Sequence, residues 1–141
     1  LQEITHNLVG IIRTGSELAE AIEKIAAIRA RSANVSVSGG RKFNPGFHLA
    51  FDLDNMLLVA ESTAKSAINR EESRGGHTRD DFPTMNEKWR QKNNISSFDG
   101  TKVNVREQAL PAIPKELFDL FDIHELEKYM TPEEIAKGGS N

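Results

Sequence analysis

Residues 44–83 constrain this chain more than any other stretch, because they join a long apolar helix to a dense polar corner. Asn44 is a favourable N-cap, and Pro45 at the first helical position lacks only an N–H that would be unpaired anyway. From there Ala50, Leu53, Leu57, Ala60, Ala64 and Ala67 recur at intervals of three and four, which makes one continuous apolar face. Phe47, Phe51 and Leu58 form a second apolar line away from the first. A helix that is apolar on two sides is expected to be central, with neighbours on both flanks. Gly75 and Gly76 lower helix propensity and permit positive φ, so the helix is expected to end near residues 73–76.

Two helices are predicted upstream. Leu1, Ile4, Leu8, Ile11 and Ile12 have helical spacing and predict an amphipathic helix over residues 1–12. Thr14-Gly15-Ser16-Glu17 has the form of a capping box and opens a helix over about residues 16–33, with Leu18, Ile22, Ile25 and Ile28 or Arg29 along one face. Glu20 and Lys24 are a correctly oriented i,i+4 ion pair on that helix. Residues 35–42, dominated by serine and glycine, read as a loop. Three apolar stripes with short links predict a mainly α fold: a three-helix up-down-up bundle, spectrin-repeat-like, with a C-terminal β-hairpin and short helices. At a rise of about 1.5 Å per residue the third helix would run about 40 Å, longer than its partners, so one end is expected to project or to be covered from outside.

The character changes after Pro83. Residues 86–92 predict a short helix presenting Trp89. Residues 94–106 read as a hairpin turning at Asp99-Gly100, with Ile95 and Phe98 before the turn and Val103 and Val105 after it. Such a hairpin is marginal alone and must lie on another surface. The prolines of Leu110-Pro111-Ala112-Ile113-Pro114 keep that segment extended. Two or three short acidic helices follow over residues 115–137, with Leu117, Leu120, Phe121, Ile123, Leu126, Tyr129 and Met130 as their apolar set and Thr131-Pro132-Glu133-Glu134 as a capped start. The expected organisation is therefore a bundle over residues 1–83, a helix and hairpin packed on it over 84–108, and an acidic tail over 109–141.

The chain has no cysteine, which excludes disulfides, thiolate metal sites and cysteine nucleophiles. Its net charge of -3 gives no general attraction for nucleic acid or an anionic membrane, and no apolar run approaches the roughly 20 residues that span a bilayer. His6, His48, His77 and His124 lie in four unrelated segments without metal-ligand spacing, and neither a P-loop nor a placed dinucleotide fingerprint occurs. The adjacent acids Glu71/Glu72, Asp80/Asp81 and Glu133/Glu134 read as solvated caps and turns.

One dense cluster remains. Residues 70–81 hold three arginines, a histidine, two glycines and four acids directly after the apolar helix. Gly75 and Gly76 with Arg74, His77 and Arg79 suit an anion or carboxylate site, as an enzyme acting on its own would need. The same residues suit an interface whose arginines fork onto another domain, with the acids balancing charge. The balanced charge favours the interface, which predicts that Arg74→Ala barely changes the stability of this chain.

The run Leu53-Asp54-Asn55-Met56, then Arg70-Glu71-Glu72-Ser73-Arg74-Gly75-Gly76-His77-Thr78-Arg79-Asp80-Asp81-Phe82-Pro83 and a tryptophan shortly after, resembles the C-terminal helical domain of succinate dehydrogenase and fumarate reductase flavoproteins. L-aspartate oxidase shares that domain and a related element, and is the alternative; a self-contained three-helix interaction module is the other. The resemblance implies a parent with FAD-binding and capping domains, succinate–fumarate interconversion, and electrons passing to an iron–sulfur subunit and quinone. No position here matches the family's flavin-attaching or substrate-clamping motifs, so no catalytic, cofactor-binding or metal residue is assigned within this chain. Ser73, Arg74, Gly75, Gly76, His77 and Arg79 become candidates for docking onto the FAD and capping domains. The chain starts at Leu1 with its helical pattern already running, and so reads as a piece of a longer polypeptide. The resemblance implies a cytoplasmic location, peripheral at the inner face of the cell membrane through partner subunits, with no direct membrane insertion.

Overall fold

Short-range capping sets where the two long helices of this chain begin. In the computed structural model, which describes residues 1–138, α1 spans Gln2–Leu8, β1 Ile12–Arg13, α2 Gly15–Ser32 and α3 Pro45–Asn69. β2 then spans Thr78–Arg79, α4 Glu87–Arg90, β3 Lys92–Phe98 and β4 Val103–Ala109, with α5 Lys115–Phe118, α6 Ile123–Leu126 and α7 Pro132–Ala136 last. About half of the residues are helical, so the fold is mainly α. The Thr14–Glu17 capping box opens α2 with both reciprocal bonds, the Thr14 N–H donating to Glu17 Oε2 at 2.7 Å. The Asn44 side chain accepts from the Phe47 N–H at 3.2 Å and opens α3 ahead of Pro45.

The chain divides into two compact units, Leu1–Gln108 and Ala109–Asn141. In the first, α2 and α3 run antiparallel. Arg29 reaches Glu61 and Ser32 reaches Asp54, so rising numbers on one helix meet falling numbers on the other. Their core is Ile25, Leu57, Ala60 and Ala64, with Leu1, Ile4, Val9, Ile22, Ile28 and Leu53 packed around it. The alanines on α3 let the backbones approach, and Leu57, fully buried, is the largest side chain that α3 contributes to this core. Leu57→Ala should therefore cost about 2–5 kcal/mol in urea unfolding, with the midpoint moving and the slope unchanged.

Three expectations change. The first helix stops at Leu8 instead of reaching Ile12. Gly10 follows, and Ile11 and Arg13 accept backbone bonds from Thr78 and Asp80, which draws residues 12–13 into a parallel pair with residues 78–79. At seven residues α1 is about 10 Å long beside an α3 of about 37 Å, too short for the third arm of a full-length bundle. Second, α3 ends at Asn69, several residues before the glycines, because Arg70 is extended. Third, Phe51 is 71% exposed and Leu58 only half-buried, so among the described residues the second apolar line has no continuous neighbour.

The hairpin forms as expected. Asp99 bridges the turn by accepting from the Lys102 N–H, the Asn104 side chain and the Thr101 N–H, which hold its carboxyl down at about 2, and Gly100 has φ +96°. It lies on α3 through polar contacts. Buried Glu61 faces the Arg29 guanidinium at 2.5 Å and Lys65 at 2.6 Å, and accepts weakly from the Val103 N–H, while Lys65 also donates to the Val103 carbonyl at 2.8 Å. Asn94 donates to the Ser66 carbonyl and accepts from Asn69. In the second unit α5, α6 and α7 are three short helices, α7 opening with a Thr131–Glu134 capping box. Its expected apolar set is mostly open to solvent: Leu126 is buried, but Leu117, Leu120, Phe121, Ile123 and Tyr129 are exposed, while Phe118 is buried instead.

Candidate functional site

The corner after α3 is held by hydrogen bonds that the local sequence does not announce. The last carbonyls of a helix lack intrahelical donors. Here one arginine from twelve residues on supplies them: Arg79 Nη1 donates to the Ala67 and Ile68 carbonyls, each at 3.0 Å. Its Nε and Nη2 form a fork onto Asp81 at 2.8 Å each, and its guanidinium lies 5.0 Å from the Phe82 ring centroid. The Arg79 side chain is only 3% exposed. Asp81, held well below the usual carboxylate range by the Arg79 fork, also accepts from the Gly15 N–H at 2.9 Å. The approach is close: a Cβ at Gly15 would sit 2.9 Å from Arg79 Nη2, so a larger residue there displaces the guanidinium.

Glu72 is the second organising group, and it corrects the reading of the paired acids as solvated. It is fully buried, takes Arg70 Nη2 at 2.5 Å and Arg74 Nε at 3.1 Å, and accepts from the Asn86 N–H at 2.9 Å. Burial alone would raise its pKa; the Arg74, Asn86 and Arg70 donors outweigh that, and the net shift is downward. Arg70 in turn donates to the Trp89 carbonyl at 2.9 Å and lies over the ring of that buried tryptophan.

Ser73, Arg74, Gly75, Gly76, His77 and Arg79 are thus brought together, but in different environments. Ser73 Oγ donates within the corner, accepts from the Arg79 N–H, and ties residues 73, 79 and 82. Arg74 and His77 exchange two backbone bonds across Gly75-Gly76, a two-residue hairpin whose first residue has φ +59°. The two glycines form an exposed tip. Arg79 has its donors committed to the Ala67 and Ile68 carbonyls and to Asp81, which turns its guanidinium inward and away from any outside carboxylate.

His77 connects this corner to the N-terminal arm. Arg13 Nη2 donates to His77 Nδ1 at 2.7 Å, which requires an unprotonated Nδ1, so Nε2 carries the proton and donates to the Arg70 carbonyl at 3.0 Å. Burial lowers the His77 pKa below its ordinary 6.5; the Arg70 carbonyl opposes this, and the charges of Arg13, Arg70 and Arg79 reinforce it. The unfolded chain therefore binds this proton first, and the stability His77 contributes is complete above pH 6.5 and lost as pH falls below it. The melting temperature should fall from about pH 8 to pH 5, and this slope should flatten in His77→Gln. Glu61, Glu72 and Asp81, all lowered, lose their contribution only at more acidic pH, below their ordinary values of 4.5, 4.5 and 3.8. Among the described residues no group of three His, Asp or Glu is placed to hold a metal ion, and no helix is long and apolar enough to cross a membrane.

The model of the family described as fumarate reductase flavoprotein C-term matches residues 1–126. The chain belongs to this family. The fumarate reductase flavoprotein subunit of Helicobacter pylori is 33% identical over 122 residues, which cover 85% of this chain and 16% of that protein. An uncharacterised FAD-dependent oxidoreductase of Methanocaldococcus jannaschii is 41% identical over 90 residues, covering 64% of this chain and 16% of that protein. In the Mycobacterium smegmatis Sdh1 complex in its apo form, a chain superimposes with a TM-score of 0.84 at 45% identity, over 96% of this chain and 24% of that one. A chain of the E. coli quinol fumarate reductase gives 0.68 at 25% identity, over 79% and 20%. The chain thus spans about a sixth of the length of these curated relatives, which include oxidoreductase flavoprotein subunits of fumarate reductase.

Proposed function

We propose that this chain is the C-terminal bracing and docking domain of a succinate dehydrogenase or fumarate reductase flavoprotein subunit. In this reading the parent interconverts succinate and fumarate with FAD and passes electrons to an iron–sulfur subunit and quinone. It lies in the cytoplasm, held peripherally at the inner face of the cell membrane by its partner subunits. The observation that carries the proposal is the family match over residues 1–126, which takes in the whole Arg79–Glu72 corner. The chain itself brings no flavin or substrate residue.

Its contribution is mechanical. The three-helix up-down-up bundle is proposed for the domain within its parent, with α2 and α3 as its long arms over residues 1–83. Residues 84–108 brace the corner, and 109–141 form an acidic tail. Ser73 and Arg79 act by fixing the corner, and the docking contacts onto the FAD and capping domains fall to the exposed Gly75-Gly76 tip with Arg74 and His77 beside it. These two side chains keep partial exposure, and both glycines of the tip are exposed.

The complete gene product tests this. Purified, it should show a flavin spectrum and reduce a dye with succinate, and removing this domain should abolish flavin retention. A product that oxidises aspartate but not succinate, or that carries no flavin, would overturn the assignment.

A further inference from the structure

The connection between α2 and α3 holds a backbone conformation found nowhere else among the described residues. Phe43 has φ +55°, and no other residue there except glycine has a positive φ. A bulky side chain rarely takes that conformation, because its Cβ crowds the backbone. Phe43 gains no burial in return, since its side chain is fully exposed. The loop around it is nonetheless built. Asn44 Nδ2 donates to the Ser38 and Gly40 carbonyls at 3.0 Å each, while Asn44 Oδ1 accepts from the Phe47 N–H. The Arg41 guanidinium lies 5.5 Å from the Phe47 ring centroid. A strained, exposed aromatic held in place by its neighbours is organised toward something outside the chain. Its surroundings are basic: from Lys24 to Phe51 the sequence has no acid, in a chain of net charge -3. Lys24 and Arg29 are paired with Glu20 and Glu61, but Arg31, Arg41 and Lys42 are exposed and have no carboxylate partner among the described residues.

We propose that residues 35–43 form a docking knob for a separate, acidic protein subunit: Phe43 enters an apolar pocket, and Arg31, Arg41 and Lys42 face carboxylates on its rim. The build of the knob favours a protein pocket over a bilayer or a nucleic acid. A fluid hydrocarbon layer or a flexible strand adapts to an aromatic ring, so a ring fixed at a cost to the backbone brings them nothing. A preformed pocket rewards it, because less ordering remains to be done on docking. The net charge of -3 also gives no general attraction for a phosphate-bearing surface. The place of the knob favours a chain other than the flavoprotein itself. Phe43 precedes α3 and the Gly75-Gly76 tip follows it, with about 37 Å of helix between them. Under the function proposed above, the far end meets the FAD and capping domains, which leaves the near end to a second body. The assignment to a separate subunit rests on that reading, whereas the knob and its charge do not.

The test places the photo-crosslinker p-benzoylphenylalanine at position 43 of the complete gene product, irradiates intact cells and identifies the joined peptide by mass spectrometry. A crosslink to another subunit is expected, at an apolar site flanked by Asp or Glu. Its yield should fall at least about tenfold when Arg41→Glu and Lys42→Glu are introduced together. Phe43→Gly separates docking from folding. Glycine takes a φ of +55° without strain, so the melting temperature should hold or rise, while dissociation of that subunit should quicken at least about tenfold. Unchanged dissociation in Phe43→Gly would overturn the proposal, whatever the melting temperature does. A crosslink to lipid, to nucleic acid or to the product's own chain, or no crosslink at all, would overturn it too. If that product holds flavin, the flavoprotein reading stands. A crosslink to an acidic subunit from a product without flavin would uphold the knob while removing the flavoprotein assignment.

Discussion

Replacing Arg79 by alanine is expected to destabilise the Leu1–Gln108 unit by about 3–5 kcal/mol, among the largest effects of any single change in the chain. The magnitude comes from the helix end rather than from the ion pair. The Asp81 carboxylate is 36% exposed and can rehydrate, so the ionic half contributes less than about 1 kcal/mol. The Ala67 and Ile68 carbonyls behave differently. They lie under the guanidinium at 3.0 Å, and with Arg79 removed each is left without its side-chain donor, at about 1–3 kcal/mol apiece. Asp81→Asn should accordingly cost under about 1 kcal/mol, since the amide oxygen can still accept from Gly15. Arg79→Lys should fall between the two, because an ammonium cannot hold two carbonyls and a carboxylate in one plane. Urea unfolding of the three variants reads this order directly; an Asp81→Asn as damaging as Arg79→Ala would place the energy in the ion pair instead.

Glu72→Ala is expected to cost about 3–5 kcal/mol, because it removes one partner from a buried cluster. Two guanidinium groups, those of Arg70 and Arg74, would then face each other without a counter-charge, and the Asn86 N–H would lose its acceptor. Glu72→Gln retains the shape and one acceptor oxygen, and should cost about 1–3 kcal/mol. Arg74→Ala leaves Arg70 and Asn86 on the carboxylate and should cost about 1–2 kcal/mol, where the sequence alone led to an expectation of almost none. If Glu72→Ala unfolds at the same urea concentration as the unmodified chain, the corner is held by something other than this carboxylate.

Much of the local structure of this protein is legible from neighbours in sequence. Thr14 with Glu17, Asn44 with Pro45, Thr131 with Glu134, and Asp99-Gly100 each specify a helix start or a turn within three or four residues, and each forms as its chemistry predicts. The core face of α3 is equally plain, since helical periodicity is a property of the segment itself. The family, too, is carried by a linear run of residues. The helix ends were less legible: Ile11 and Ile12 fit a helix by spacing, yet the Ile11 carbonyl accepts from Thr78 and Ile12 is held extended against it, more than 60 residues away.

Tertiary structure alone decided what the charged residues of the corner do. In the sequence, Glu72 and Arg79 are two more charges in a mixed run; in the fold, one is a buried anchor and the other the cap of a helix that ended ten residues earlier. The physical reason is reach. A cap or a turn is closed by atoms a few bonds apart, so residue order specifies it, whereas the worth of a charge depends on how much water and which partners surround it, and those are fixed only when distant segments meet.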